Sequence, residues 1–113
     1  IWADGAYVDA IDSFREYIKV YPGEYHAYKR IAEIYEKDLG SFRAAALEYE
    51  EMLEMDIPKS RWGWAAIHLC NLYSGKLDDS DRALALLQRV ANECSETTAG
   101  QKARDRLAKI AAG

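Results

Sequence analysis

The fold is decided by residues 25–57, which read YHAYKRIAEIYEKDLGSFRAAALEYEEMLEMDI. Apolar residues recur every three or four positions on both sides of Gly40-Ser41, which is the spacing of amphipathic helices. Gly40 predicts that the first helix ends in a left-handed backbone conformation, and Ser41 is the predicted N-cap of the second helix. The stretch therefore predicts a helical hairpin, with helices over about residues 24–38 and 42–55.

The same spacing continues outward in both directions. It predicts further helices over about residues 7–20, 61–74, 80–92 and 98–111. Pro22 ends the first of them, because proline lacks the backbone N–H that a helix requires. We expect Ile1 to Asp4, ahead of Gly5, to be the last turn of an earlier helix. The sequence predicts an all-α chain of about five to six helices.

The pattern also predicts which side chains face the core. In the helix of residues 42–55 the expected inward residues are Ala45, Ala46, Tyr49, Met52 and Leu53, and the expected outward residues are Glu48, Glu50, Glu51 and Glu54. The helix of residues 61–74, with Ser60 as its expected cap, is apolar on more than one face and should be the most buried. We expect core positions for Trp62 and Trp64, with Trp62 the more exposed of the two. Tyr7, Phe14 and Tyr17 should form an exposed apolar edge that Ile1 and Trp2 could cover.

Composition narrows the function classes. The chain has 113 residues, half of them apolar, and a net charge of -4, which argues against a nucleic-acid binder because phosphates require a basic face. No apolar run approaches the ~20 residues of a membrane-spanning helix. Cys70 and Cys94 are too far apart for a metal-binding CxxC pair and are expected to be buried free thiols. The chain begins at Ile1 rather than Met, so we expect it to be part of a longer protein.

Sequence columns repeat along the chain with shared offsets, and one of them is Tyr17, Met52 and Val90. Ala10, Ala45 and Ala83 are each followed four positions later by Phe14, Tyr49 and Leu87, at offsets of 35 and then 38 residues. The preceding helices align as well, since Tyr28, Ile31, Ala32 and Tyr35 match Ala66, Leu69, Cys70 and Tyr73 at an offset of 38. Independent columns with one offset indicate repeated helical hairpins.

The repeat resembles the tetratricopeptide repeat family. Tyr28-x₂-Ile31-Ala32-x₂-Tyr35 is similar to that family's first-helix pattern, and Ala45-x₃-Tyr49 to its second. Relative to the family pattern, one extra residue enters each intra-repeat turn, at residues 37–40 and 74–79, and three lengthen the loop at residues 57–61. The resemblance implies an α–α superhelix, a solenoid of stacked hairpins in which neighbours bury each other's apolar stripes. It implies one domain over residues 1–113, with hairpins at about 1–22, 24–57 and 60–95 and a capping helix at 98–111.

The resemblance also implies a ligand site, because this family usually binds on a concave face made by the first helix of each hairpin. The predicted groove residues are His26, Lys29, Arg30, Glu33, Lys37, Trp64, Ile67, His68 and Asn71. In this interpretation Trp64 and Ile67 receive an apolar anchor, while Lys29 and Arg30 pair with acids of an extended peptide. The alternative for the charged members is an ordinary solvated face with i,i+4 pairs such as Lys29–Glu33.

The function expected from the resemblance is protein–protein interaction, with a partner peptide or helix in the groove. The alternative is a structural spacer that self-associates through the first hairpin. No enzyme, cofactor or catalytic residue is expected, since no HExxH, nucleophile triad or glycine-rich phosphate loop occurs. No metal site is expected either, because helix capping explains Asp78, Asp79 and Asp81 better than calcium binding does. The compartment stays open between cytoplasm, periplasm and a membrane-anchored protein.

Overall fold

The computed structural model describes the backbone of residues 2–112 and the side chains of residues 5–112. Six α-helices occur there, and residues 2–112 contain no strand. The helices are α1 Trp2–Val20, α2 Tyr25–Glu33, α3 Phe42–Leu53, α4 Lys59–Asn71, α5 Ser80–Glu93 and α6 Thr98–Ala112. One π-helical turn extends α2 over Ile34–Asp38, and another extends α4 over Leu72–Lys76. The predicted all-α fold class is confirmed.

The helices fall into two compact units, Ile1–Asp56 and Ile57–Gly113. In the first unit α2 packs against both α1 and α3. Its core includes Ile11, Ile31 and Ile34, with partly buried apolar side chains around them. These residues follow the helical spacing that the sequence predicts, so apolar periodicity accounts for this packing.

Helix α1 differs from its prediction at the N-terminal end. It is continuous from Trp2 through Gly5, so the predicted break before residue 7 is wrong. Nothing lies within 4 Å of a Cβ placed at Gly5, and an exposed glycine inside a helix costs only about 1 kcal/mol. Of the predicted apolar edge, Tyr17 is exposed, whereas Tyr7 and Phe14 pack against the Ile11 cluster. The suggested cover by Ile1 and the Trp2 side chain lies outside the described residues.

Glu48 on α3 is the clearest departure from the predicted outward face. Its residue is 6% exposed, although the sequence pattern placed it among solvated glutamates. The guanidinium of Arg15 on α1 donates a hydrogen bond to the Glu48 carboxylate. This bond and the adjacent negative charge raise the pKa of Arg15. A carboxylate can be buried at low cost when a charged donor meets it, and that donor comes from another helix.

The second unit is built on α4, which packs against α5 and α6. As predicted, α4 is buried on more than one side; its buried residues are Trp62, Gly63, Ala65, Ala66, Ile67, Leu69 and Cys70. Helix α6 approaches α4 so closely that a Cβ at Gly63 would lie 2.8 Å from the Ala99 Cβ. A Cβ at Gly100 would lie 1.9 Å from the Cys94 carbonyl oxygen. Glycines at these two positions allow α6 to dock against the unit.

The two π turns show how each hairpin accommodates its extra residue. Leu39 N donates to Ile34 O at 3.0 Å, and 38 residues later Leu77 N donates to Leu72 O at 2.9 Å. The next residues also correspond, since Gly40 has φ +64° and Asp78 has φ +50°. A π-helical turn accommodates one residue more than an α-turn. The predicted insertion is therefore built twice, with the same local geometry.

Helix capping follows the sequence only in part. Asp79 caps α5, and its carboxylate accepts from Arg82 N at 3.2 Å. Ser60 is wrong as the cap of α4, because α4 begins at Lys59 with Pro58 in the cap position. Thr97, which the sequence interpretation missed, accepts from Gly100 N at 3.1 Å and donates to Cys94 O at 2.8 Å. This threonine fixes the turn that brings α6 back onto α5.

Both cysteines are buried free thiols, as predicted. Cys70 Sγ donates to the Ala83 carbonyl at 3.5 Å, and Cys94 Sγ donates to the Lys59 carbonyl at 3.7 Å. Burial raises the pKa of Cys70 to about 11 and also raises the pKa of Cys94. Since the thiolate is the reactive form, neither side chain is an activated nucleophile.

Candidate functional site

The predicted groove residues are divided between the two compact units, and each half has its own geometry. The half on α2 consists of His26, Lys29, Arg30, Glu33 and Lys37, which lie at helical spacing along one face of α2 and its π turn. All of them are exposed except Glu33, which is partly buried. This half therefore has a solvent-accessible face that carries three basic side chains.

Local contacts organise part of the α2 face. Arg30 Nη1 donates to Glu33 Oε1 at 2.9 Å, an i,i+3 pair rather than the expected i,i+4 pairing of Lys29 with Glu33. The His26 ring lies 4.2 Å from the Tyr25 ring between centroids. The Arg30 side chain is 59% exposed, so this pair adds about 0–1 kcal/mol to stability at most. Such a weak pair leaves Arg30 able to exchange Glu33 for an acid on another molecule.

The half on α4 separates into surface and core. Trp64 and Asn71 are exposed, and His68 is partly buried. Ile67 is 4% exposed and belongs to the core of the second unit. Ile67 therefore does not present its side chain to a ligand in this conformation, and the predicted apolar anchor site reduces to Trp64.

The exposures of the two tryptophans of α4 are in the reverse of the expected order. Trp62 is 8% exposed, whereas Trp64 is 45% exposed, so the expectation that Trp62 is the more exposed is wrong. Residues two apart on a helix point in nearly opposite directions, so the two indoles cannot share one environment. Trp62 lines a small cleft together with Glu93 and Cys94, so the C-terminal end of α5 lies on its side of α4. The guanidinium carbon of Arg89 also lies 5.1 Å from the Trp62 ring centroid.

Trp64 is the most unusual surface residue of the second unit. The ammonium of Lys102 on α6 lies 5.9 Å from the centroid of its ring. A cation above an indole face contributes about 0.5–1 kcal/mol at an exposed site, which restricts the ring without covering it. Tryptophan is enriched among residues that dominate protein interfaces, because it buries a large area and loses few rotamers. Trp64 therefore presents an aromatic ring of restricted orientation beside a positive charge.

Sequence reasoning missed a second surface feature of this unit, an open groove between α4, α5 and the C-terminal turns of α6. Arg106, Lys109 and Ile110 form its α6 side. The available signal was the apolar stripe of α6, which changes from alanine at positions 99 and 103 to larger residues at 107 and 110. Small residues permit close helix packing, whereas the larger ones lie where the stripe leaves the core.

Two further properties of the described residues concern metal ions and membranes. Among the side chains of residues 5–112, no cluster of three or more His, Cys, Asp or Glu residues has a geometry that could hold a metal ion. Among the helices of residues 2–112, none combines the length and the apolar character needed to cross a bilayer. Comparison of the sequence with protein-family models and with curated proteins gives no match.

Proposed function

We propose that this chain is a protein-interaction module that binds a segment of another protein through the α4 surface around Trp64. The observation that carries the proposal is the 45% exposure of Trp64 on the most buried helix of its unit. An indole in water loses the free energy that its burial would give, about 25 cal/mol per Å² of apolar surface. A partner that covers this ring recovers that free energy, so Trp64 is a suitable anchor for binding.

The surroundings of Trp64 define the partner's chemistry. Lys102 lies over the indole, while Asn71 and the partly buried His68 follow Trp64 on the same face of α4. An apolar side chain can pack on the open part of the indole, and a carboxylate can approach Lys102. The partner segment is therefore expected to carry an apolar residue beside an acidic one.

The hairpins are proposed to be degenerate copies of the tetratricopeptide repeat. The matching π turns and the left-handed residues at positions 40 and 78 support this, because both hairpins turn in the same way. In that family the first helix of a hairpin carries ligand contacts, and here α2 and α4 would be the first helices. The basic face of α2, with Lys29 and Arg30, is then a second contact surface for an acidic segment.

The experiment is a capture of partners by the chain from an extract of its source, followed by cross-linking to locate the contacts. Trp64→Ala should lose the partner, because the anchor is removed from an exposed position where the helix tolerates alanine. Leu47→Ala is the matched control, since Leu47 is 59% exposed on α3 in the other unit. A partner that both variants retain would refute the α4 surface as the binding site.

Self-association is the second candidate function, and α1 provides the observation in its favour. Tyr17, Val20 and Tyr21 are all more than 40% exposed, and the two tyrosine rings lie 4.8 Å apart between centroids. A cluster of large apolar residues on one helix end is typical of an interface. Light scattering at increasing concentration decides this, with Tyr17→Glu as the variant. A mass that stays monomeric at all concentrations would refute self-association.

A further inference from the structure

A groove of about 580 Å³ opens in the second unit between the start of α5 and the C-terminal turns of α6. Its floor is made of the buried residues Cys70, Ala83 and Leu87. Leu84, 36% exposed, and Ile110, 58% exposed, stand at its apolar edges. Trp64 does not line it, although Asn71 belongs both to the groove and to the Trp64 surface proposed above.

The groove exists because the stripe of α6 is fully buried only in its N-terminal half. Ala99 and Ala103 are fully buried, and Gly100 lies against the Cys94 carbonyl. Along the same stripe Leu107 is partly buried and Ile110 is exposed. A stripe that faces the core at its start therefore borders an open groove at its end. A large apolar residue left uncovered there marks a surface that another apolar group can cover.

The charge of the groove indicates which groups can enter. Arg106 and Lys109 lie on the α6 side, and Asp81 lies on the α5 side. The groove is therefore cationic on balance, whereas the whole chain carries a net charge of -4. The charge of Arg106 also reaches the floor, because it opposes the rise in the pKa of Cys70 that burial causes. Charge complementarity thus favours a ligand with carboxylates next to its apolar part.

We propose that this groove binds a protein segment that places a large apolar side chain between Leu84 and Ile110 and a carboxylate beside Arg106 and Lys109. A protein segment fits better than a small molecule because the groove is open along its rim. Small ligands usually bury 70–90% of their surface, and an open groove covers less of a ligand than an enclosed cavity does. Asn71 and Ser80 line its polar rim and can hydrogen-bond to a peptide backbone.

The test is a selection of random 12-residue displayed peptides on the intact chain, followed by affinity measurements with a synthetic peptide of the enriched sequence. Enriched peptides should combine a large apolar residue with nearby Asp or Glu. Ile110→Glu and the double variant Arg106→Glu with Lys109→Glu should each weaken binding about tenfold or more, the cost of losing an anchor or a charge pair. Arg61→Glu is the matched control, because Arg61 is an exposed cation of the same unit that does not line the groove.

Three outcomes would overturn the proposal. The first is that no peptide is enriched, and the second is that enriched peptides bind the groove variants as tightly as they bind the original chain. The third is that decanoate, a small apolar acid, binds in the groove while no peptide does. Ile110 is exposed, so its variant should fold, and circular dichroism checks this. Trp64→Ala should leave groove binding unchanged, so failure here and failure of the Trp64 proposal are distinguishable.

Discussion

Gly100→Ala tests the close docking of α6 on which the second unit depends. A Cβ at this position would lie 1.9 Å from the Cys94 carbonyl oxygen and 2.6 Å from its carbon. Both atoms belong to the backbone, so no side-chain rotation can relieve the overlap. A carbon and a carbonyl oxygen need about 3.3–3.6 Å, so the first turn of α6 would have to move by about 1.5 Å.

The expected loss of stability can be derived from two opposing contributions. Overpacking of a well-filled site costs about 1–3 kcal/mol, and rigid backbone neighbours favour the upper end. Alanine recovers up to about 1 kcal/mol through its higher helix propensity. The net decrease in the free energy of unfolding is therefore about 2 kcal/mol. For a unit of this size, such a decrease lowers the Tm by roughly 10 °C.

The assay is thermal and urea unfolding, followed by hydrogen exchange of the peptides that cover α4 to α6. Hydrogen exchange assigns the loss to the second unit, because it reports each segment separately. Gly75→Ala is the control, because Gly75 belongs to the same unit and a Cβ at this position would have no atom within 4 Å. The control should be neutral or slightly stabilising. If Gly100→Ala is as stable as the original chain, the close approach of α6 to Cys94 is wrong.

Three further changes test other features of the structure. Arg15→Ala leaves the buried Glu48 carboxylate without its guanidinium and should lower the free energy of unfolding in urea by about 1–3 kcal/mol. Lys19→Ala breaks an exposed pair and should lower it by less than about 1 kcal/mol. Equal losses in the two variants would contradict the buried pair. Asp78→Gly relieves a left-handed backbone and should raise the free energy of unfolding by about 1 kcal/mol, and a decrease would show that Asp78 is unstrained. The stabilisation linked to the Cys70 thiol should be present below its ordinary pKa of 9.0 and be lost as the pH rises towards about 11, because only the unfolded thiol ionises easily in that range. The free energy of unfolding of a Cys70→Ala variant should lack this part of the pH dependence. An unchanged pH profile would contradict the burial of the thiol.

Local sequence rules predicted the helices and their turns well. Gly40 has the expected positive φ, and Asp79 makes the expected cap of α5. These features depend on backbone conformation within a few residues, which single residue types largely determine. Comparison with the tetratricopeptide pattern, which the repeats resemble, likewise anticipated an extra residue in each hairpin turn. The π-helical turn that accommodates the extra residue was not predicted, because residue types alone do not indicate how a helix accommodates an insertion.

Features that depend on contacts between helices were not predictable in the same way. Glu48 looks like its solvated neighbours in sequence, and only Arg15 on another helix makes its burial favourable. Trp62 and Trp64 lie on a helix that is apolar on more than one face, so periodicity cannot decide which is covered. Contacts with α5 decide it, because Arg89 and Glu93 lie beside Trp62. The groove beside α6 likewise depends on how the helices pack against one another.

We propose that the chain binds another protein through Trp64, and an equilibrium titration measures this binding. The captured partner segment is titrated by fluorescence anisotropy against the original chain, Trp64→Ala and Leu47→Ala. We expect Trp64→Ala to weaken the affinity by about tenfold or more and Leu47→Ala to leave it unchanged, because Trp64 is a central aromatic anchor. Equal affinity for all three proteins would contradict the claim.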